Sequence, residues 1–85
     1  MKDLRILGVL VCNRTDNAVA VQDTLTKFGC SIKTRLGLHE VTDDHCTNYG
    51  MILLELTGDQ QEWVKLQAEL EKINGVEVQK MDFGI

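Results

Sequence analysis

Apolar residues recur along the chain with two different periods, which divide it into strands and helices. Residues 4–12 and 49–56 are apolar at both alternating sets of positions, which indicates strands buried in the middle of a sheet. Residues 31–39 and 76–81 alternate apolar with polar side chains, as edge strands do. Two further stretches space their apolar residues three and four apart, as helices with one buried face do. The members of these two stripes are Ala18, Val21, Leu25, Phe28, Trp63, Leu66, Leu70 and Ile73. The predicted order is therefore strand, helix, strand, strand, helix, strand.

This order predicts an α+β fold, a ferredoxin-like βαββαβ sandwich. Two β-α-β units with right-handed crossovers place both helices on one face of an antiparallel sheet with strand order 4-1-3-2. Asp59 is the expected N-cap of the second helix, and Asn74-Gly75 its expected end. A chain of 85 residues is expected to form a single ACT-like or ferredoxin-like domain over residues 1–85.

Helices on one face leave the other face of the sheet uncovered, although both central strands are apolar on both faces. A monomer in solution seldom exposes a patch of that kind, so we expect a second copy to cover it in a homo-oligomer, a dimer or tetramer formed through the sheet. Alternation does not say which set of positions faces the helices. Our assignment of the oligomer interface is Leu7, Val9, Val11, Ile52, Leu54 and Leu56, and the other choice is the alternate set of the same strands.

Charge and composition narrow the range of partners. The net charge is −4, and the nine Lys and Arg residues are spread along the chain, whereas nucleic-acid binding needs them clustered. Ile6–Cys12, the longest uncharged apolar stretch, is far shorter than the roughly 20 residues that cross a bilayer. Three cysteines without CxxC spacing favour free thiols, and we expect Cys12 and Cys30 to be small buried residues. We therefore expect a cytoplasmic protein with neither nucleic-acid nor membrane partners.

A polar loop after the first strand is the first candidate for ligand binding. The loop consists of Asn13, Arg14, Thr15 and Asp16. Thr15 or Asp16 is the expected N-cap of the first helix, and the N–H groups at a helix N-terminus can hold a carboxylate or phosphate. The alternative is an ordinary turn followed by a cap.

Arg35 and Gly37 in the second strand are the other candidate. Residues two apart in a strand lie on the same face, and a glycine inside a strand lets a ligand or another backbone approach closely. The alternative is an edge-strand charge beside a β-bulge.

His39, His45 and Cys46 lie in or beside the loop between the second and third strands. Imidazole and thiolate suit nickel, zinc or iron, but the spacing matches no established metal motif, so a solvated loop is the main expectation. We expect no cofactor, and a transition metal only in the alternative of a metal-sensing or metal-delivery protein. The sequence has no glycine-rich phosphate loop and no recognisable set of nucleophile, base and orienting group, so we expect no enzymatic activity.

Several local strings resemble those of one protein family. They are the segments Thr34-Arg35-Leu36-Gly37-Leu38, Met51–Leu56 and Leu70-x-x-Ile73-x-Gly75-Val76-x-Val78-x-Lys80. With the element order, they resemble regulators of the iron-only hydrogenase system, small ACT-like proteins similar in fold to the C-terminal domain of nickel-responsive repressors. The resemblance covers nearly the whole chain.

The resemblance implies a non-enzymatic regulatory or ligand-sensing module that acts as a homo-oligomer and binds a small molecule or a partner protein. Residues 13–17 and the absence of proline depart from the Asp-x-Pro-Gly-like turn of amino-acid-binding ACT domains. The chain also lacks the DNA-binding segment and the several sheet histidines of the nickel repressors. The resemblance therefore implies neither an amino-acid ligand nor nickel or DNA binding.

Overall fold

A computed structural model describes residues 3–12, 14–39 and 49–84, and for residues 14–16, 38 and 39 it describes the backbone alone. The elements are β1 (Asp3–Cys12), α1 (Arg14–Lys27), a 3-10 turn (Gly29–Ser31), β2 (Ile32–His39), β3 (Tyr49–Leu56), α2 (Gln60–Glu71) and β4 (Val76–Gly84). All neighbouring strands are antiparallel, and their order is β2-β3-β1-β4. Read from the other edge this is 4-1-3-2, so the predicted ferredoxin-like βαββαβ fold is confirmed.

The core lies between the two helices and one face of the sheet. Leu7 and Leu54, which are opposite each other in β1 and β3, have no exposed surface. The cluster that they join, made of strand and helix residues, is Leu7, Val9, Val11, Val21, Leu25, Phe28, Leu54, Leu56, Trp63, Leu66 and Leu70. In the described residues no helix is long and apolar enough to cross a membrane.

Our assignment of the oligomer interface was therefore wrong. Five of its six members, Leu7, Val9, Val11, Leu54 and Leu56, are buried in the core, and Ile52 is partly buried against it. The helices cover this set because their leucine-rich stripes pack onto the large side chains that β1 and β3 present in register. The alternate set of positions points away from the helices.

Helix α1 begins earlier than expected. Its first residue is Arg14, so Thr15 and Asp16 lie within the first turn and not at the N-cap. The expected N-cap of α2 is confirmed, because the side chain of Asp59 accepts a hydrogen bond of 2.9 Å from the backbone N–H of Gln61. The helix ends at Glu71, before the expected end at Asn74-Gly75.

Gly75 lies where three elements of the fold meet, and it brings the start of β4 to the junction of β1 and α1. Its φ is +83°, a region that favours glycine, and its carbonyl accepts a 2.7 Å hydrogen bond from the N–H of Cys12. The carbonyl of Cys12 in turn accepts a 2.8 Å hydrogen bond from the side chain of Asn17 in α1. A Cβ on residue 75 would lie 2.8 Å from that Asn17 side-chain nitrogen. The end of β1, the first turns of α1 and the start of β4 are thus held together at one point.

An irregularity near the start of β2 decides which way its side chains face. The register with β3 shifts between Ile32 and Thr34 and runs without a shift past Arg35 and Gly37, so the bulge is not at the glycine where the sequence offered one as an alternative. Ile32 packs against the core, whereas Leu36 is 52% exposed on the other face. Cys12 and Cys30 are also exposed, contrary to expectation, since Cys12 is the last residue of β1 and Cys30 lies in the 3-10 turn, and not beneath the helices.

Candidate functional site

The face of the sheet opposite the helices, here called the open face, is apolar across all four strands. Cross-strand register puts Leu36 beside Leu53 and Met81 beside Ile6 on this face. Its apolar members are Leu4, Ile6, Leu10, Leu36, Met51, Leu53, Met81 and Phe83. Leu36, Met81 and Phe83 are 52%, 57% and 48% exposed. Exposed apolar patches of this extent mark interaction sites, so the open face is the principal candidate surface.

Charged side chains on the open face lie towards its margins. Glu55 is opposite Ile6 and turns towards β2, where its carboxylate accepts a 3.0 Å hydrogen bond from Thr34 and lies 3.8 Å from the ammonium of Lys33. On the other edge, Glu77 accepts a 2.9 Å hydrogen bond from Gln79. Apart from Glu77, which is opposite Leu10, the described side chains in the middle of the face are uncharged.

A shallow depression lies near the centre of the open face. Its lining consists of Gly8, Leu10, Met51, Leu53, Glu77 and Gln79. It exists because β1 has no side chain at position 8, between Ile6 and Leu10. The depression is a feature that sequence reasoning missed, although the glycine in an otherwise apolar central strand was a signal for it.

Arg35 and Gly37 lie on the same face of β2, as their spacing predicted, and register with Leu54 and Ile52 shows that this is the helix-covered face. Arg35 donates a hydrogen bond to the side-chain oxygen of Gln22 in α1, and both residues are exposed. A Cβ added to Gly37 would meet no atom within 4 Å. The outer edge of β2 beside α1 therefore has a cation and open space next to each other.

The other half of the predicted ligand site is described only in part. Residues 14–16 form the first turn of α1, with no description of their side chains, and Asn13 lies outside the described residues. Asn17, the next residue, uses its side chain to bind the Cys12 carbonyl. Binding at this loop accordingly stays a prediction.

The metal alternative falls mostly outside the described residues. His45 and Cys46 are not described, and His39 ends β2 with only its backbone described. Within the ranges 3–12, 14–39 and 49–84, no three His, Cys, Asp or Glu side chains are grouped so that they could hold a metal ion. The proposal that these three residues bind a metal stays untested.

A polar cluster that the sequence did not predict lies where β1 and β4 run beside α2. The Arg5 guanidinium binds both carboxylate oxygens of Asp82, at 2.6 and 3.1 Å, and lies 5.5 Å from the centre of the Trp63 ring. The hydrogen bond from Arg5 holds the pKa of Asp82 below its ordinary value. Gln60 also donates a 2.9 Å hydrogen bond to Asp3. Since each of these polar groups already has a partner, the cluster is better suited to fixing α2 than to binding a ligand.

Comparison with known proteins identifies the fold but no family. No family model matches the sequence, and neither does any curated protein. Among solved structures, an uncharacterized protein from Thermotoga maritima superposes with a TM-score of 0.82 at 26% sequence identity, covering 98% of this chain and 100% of that chain.

Two other structures are similar at lower identity. A nitrogen regulatory PII-like protein from Thiomonas intermedia K12, bound to ADP, AMP and bicarbonate, has a TM-score of 0.61 at 16% identity, covering 99% of this chain and 93% of that one. A dimeric ferredoxin-like protein of unknown function from Thermobifida fusca has a TM-score of 0.52 at 13% identity, covering 98% and 91%. These neighbours agree with a ferredoxin-like, ACT-like fold.

Proposed function

We propose that the chain is a non-enzymatic regulatory module that associates with copies of itself through the open face and senses a small anionic ligand. The observation that carries the proposal is the open face itself, an apolar surface spanning four strands on a chain of 85 residues. The proposal places the interface on this face and not on the residues first assigned to it.

The size of the open face suits association with a second copy. Four strands about 4.8 Å apart and about nine residues long cover on the order of 600 Å² in projection, which approaches the roughly 800 Å² per partner of a standard interface. A two-fold axis would bring the largely apolar middle of one face against the same region of another. The dimeric ferredoxin-like neighbour gives further support.

Sedimentation velocity at micromolar concentration tests the oligomer. The wild-type chain should sediment as a dimer or larger, and Leu10→Lys should shift it to a monomer because the charge would lose its water in the interface. Val64→Lys is the matched control, because Val64 is 63% exposed on α2, away from the open face. A wild-type monomer at this concentration contradicts the proposal.

The proposed ligand site is formed by the first turn of α1 together with Arg35 and Gly37 of β2. The N–H groups of a helix N-terminus and a guanidinium are both suited to carboxylate or phosphate. The open space at Gly37 leaves room for the ligand. The PII-like neighbour with ADP, AMP and bicarbonate makes these three anions the first probes.

Isothermal titration with ADP, AMP and bicarbonate tests the ligand site. Binding by the wild-type protein should weaken about 10- to 100-fold in Arg35→Gln, since a charge-assisted hydrogen bond contributes about 1.5–3 kcal/mol. Lys33→Gln is the matched control, because it removes an exposed β2 cation that is paired with Glu55 on the open face. Equal loss in both variants would point to general charge and contradict the assignment.

We further propose that the module acts in control of an iron-only hydrogenase system. The support is the resemblance of β2, β3 and the segment from Leu70 to Lys80 to that group of regulators. In a host that carries such a hydrogenase, deleting the gene should change hydrogenase activity per cell, and reintroducing it should restore the original level. Unchanged activity would contradict this setting.

Our proposal includes no metal cofactor, and metal analysis of protein purified without an affinity tag tests that. The expected result is less metal than protein, both for the wild type and for His45→Ala. Stoichiometric metal that is lost in His45→Ala would favour the metal-sensing alternative instead.

A further inference from the structure

Gly8 is a glycine at the centre of a central strand. It lies opposite Leu53 in β3 and Gln79 in β4, so it has a hydrogen-bonded neighbour strand on both sides. Glycine weakens a strand interior because it loses more conformational freedom on folding and has no side chain to pack. We therefore expect Gly8 to have a structural role at this position.

Neither a positive φ, nor a bulge, nor a close contact within one copy of the chain explains the glycine at position 8. Positive φ angles occur at Gly58 and Gly75 among the described glycines, so the backbone at Gly8 is open to any residue. The register of β1 runs without a shift past Gly8 on both sides, so there is no bulge. A Cβ added there would come no closer than 3.9 Å to any atom, which is ordinary van der Waals contact. Within one copy of the chain, the methyl group of an alanine would fit.

The remaining explanation for the glycine is that a group from outside the chain approaches the backbone closely at Gly8. The missing side chain makes the depression at the centre of the open face, with Ile6 and Leu10 before and after it in the same strand. Leu53 and Met51 of β3 form one wall, and their side chains lie 3.9 and 4.0 Å from the position of a Cβ on Gly8. Glu77 and Gln79 of β4 form the opposite wall, where Gln79 donates a hydrogen bond to Glu77. The apolar wall and the space above Gly8 suit a projecting apolar side chain.

We infer that the depression at Gly8, here called the socket, receives a large apolar side chain from a second copy of this chain. This inference rests on the proposed homo-oligomer and names the residue that sets how closely the two sheets approach. A second copy is the fitting occupant because the same face that has the socket also has projecting apolar side chains, Leu36 and Met81, each more than half exposed. Two-fold symmetry would then make the same contact twice.

Filling the socket tests the inference. Gly8→Val should raise the dissociation constant of the oligomer about tenfold or more, since overfilling a packed contact costs about 1–3 kcal/mol. Gly8→Ala, which adds one methyl group, should have a smaller effect in the same direction. The midpoint of thermal unfolding, measured at a concentration where the chain is monomeric, should not fall in either variant.

Gly37→Val is the matched control for association measured without added ligand, because Gly37 is another strand glycine with free space at its Cβ, but lies on the helix-covered face. Its dissociation constant, measured by sedimentation equilibrium, should stay within twofold of the wild type. An oligomer that persists unchanged in Gly8→Val overturns the socket while leaving the proposed oligomer intact. A monomeric wild-type chain overturns both.

Discussion

The two faces of the sheet are almost equally apolar and yet have opposite surroundings. Leu7 and Val9 on one face have no exposed surface, whereas Ile6 and Leu10, their neighbours in β1, are covered by no helix. Both sets belong to the same strand and differ by one position. A strand that is apolar on both faces therefore indicates that a second layer covers it. It does not indicate whether that layer belongs to the same chain.

The ends of the two faces differ as well. On the helix-covered face, Arg5 pairs with Asp82 and lies over the ring of Trp63. On the open face, the corresponding neighbours are Leu4 and Phe83. The covered face is thus closed at this end by an ion pair, while the apolar surface of the open face continues to the end of β4.

The largest expected effect comes from placing a charge at adjacent positions of β1. Leu7→Lys should abolish folding, because an unpaired buried ammonium costs several kcal/mol against a total stability of about 5–15 kcal/mol. Ile6→Lys should fold, because its side chain can reach water. Circular dichroism during thermal unfolding distinguishes the two, and a folded Leu7→Lys protein would contradict the assignment of faces.

Truncation of Leu53 and Leu54, which are adjacent in β3, should again destabilise the fold more on the covered face than on the open face. The difference should be smaller than for the charged substitutions. Leu54→Ala removes a fully buried side chain and should lower the free energy of unfolding by about 2–5 kcal/mol. Leu53→Ala should cost less than about 1 kcal/mol in the monomer, because the side chain lies on the open face. Urea denaturation at a concentration below that of association measures both. Equal losses would mean that the open face is as well packed as the core.

The smallest expected effect concerns the ion pair at the end of the covered face. Because Arg5 lowers the pKa of Asp82 below its ordinary value of 3.8, this pair stabilises the fold at neutral pH. The contribution is present above pH 3.8 and is lost as the pH falls through the lowered pKa. Acid titration followed by fluorescence of Trp63 should show that Asp82→Asn loses less stability than the wild type over that range. An identical acid transition would show that the pair contributes nothing.

The element order and the strand order could be predicted from the sequence because each depends on local periodicity and on the handedness of crossovers. Asp59 and Gly75 were recognisable for the same reason, since a cap and a positive φ act within a few residues. The start of α1 was predicted two or three residues late, because Thr15 and Asp16 are good caps in isolation and nothing local shows that the helix already begins at Arg14.

The orientation of the central strands could not be predicted, because alternation gives two faces without labelling them. Only the pairing of Leu7 with Leu54 beneath the helices decides which set is covered. The bulge in β2 and the pairing of Arg5 with Asp82 were equally out of reach, since both depend on register between strands distant in sequence. The depression at Gly8 had a signal in the sequence, but its meaning required knowing which face it opens on.

The junction at Gly75 has a consequence for how the molecule opens. Cys12, Asn17 and Gly75 join the first β-α-β unit to the beginning of the last strand. Lys27 and Glu69, 2.9 Å apart, join the last turns of the two helices. Neither unit can separate from its neighbour without breaking contacts at both places. The amide protons of β1 and β4 should therefore exchange with solvent through one shared opening event, so the domain behaves as a single cooperative unit despite its two similar halves.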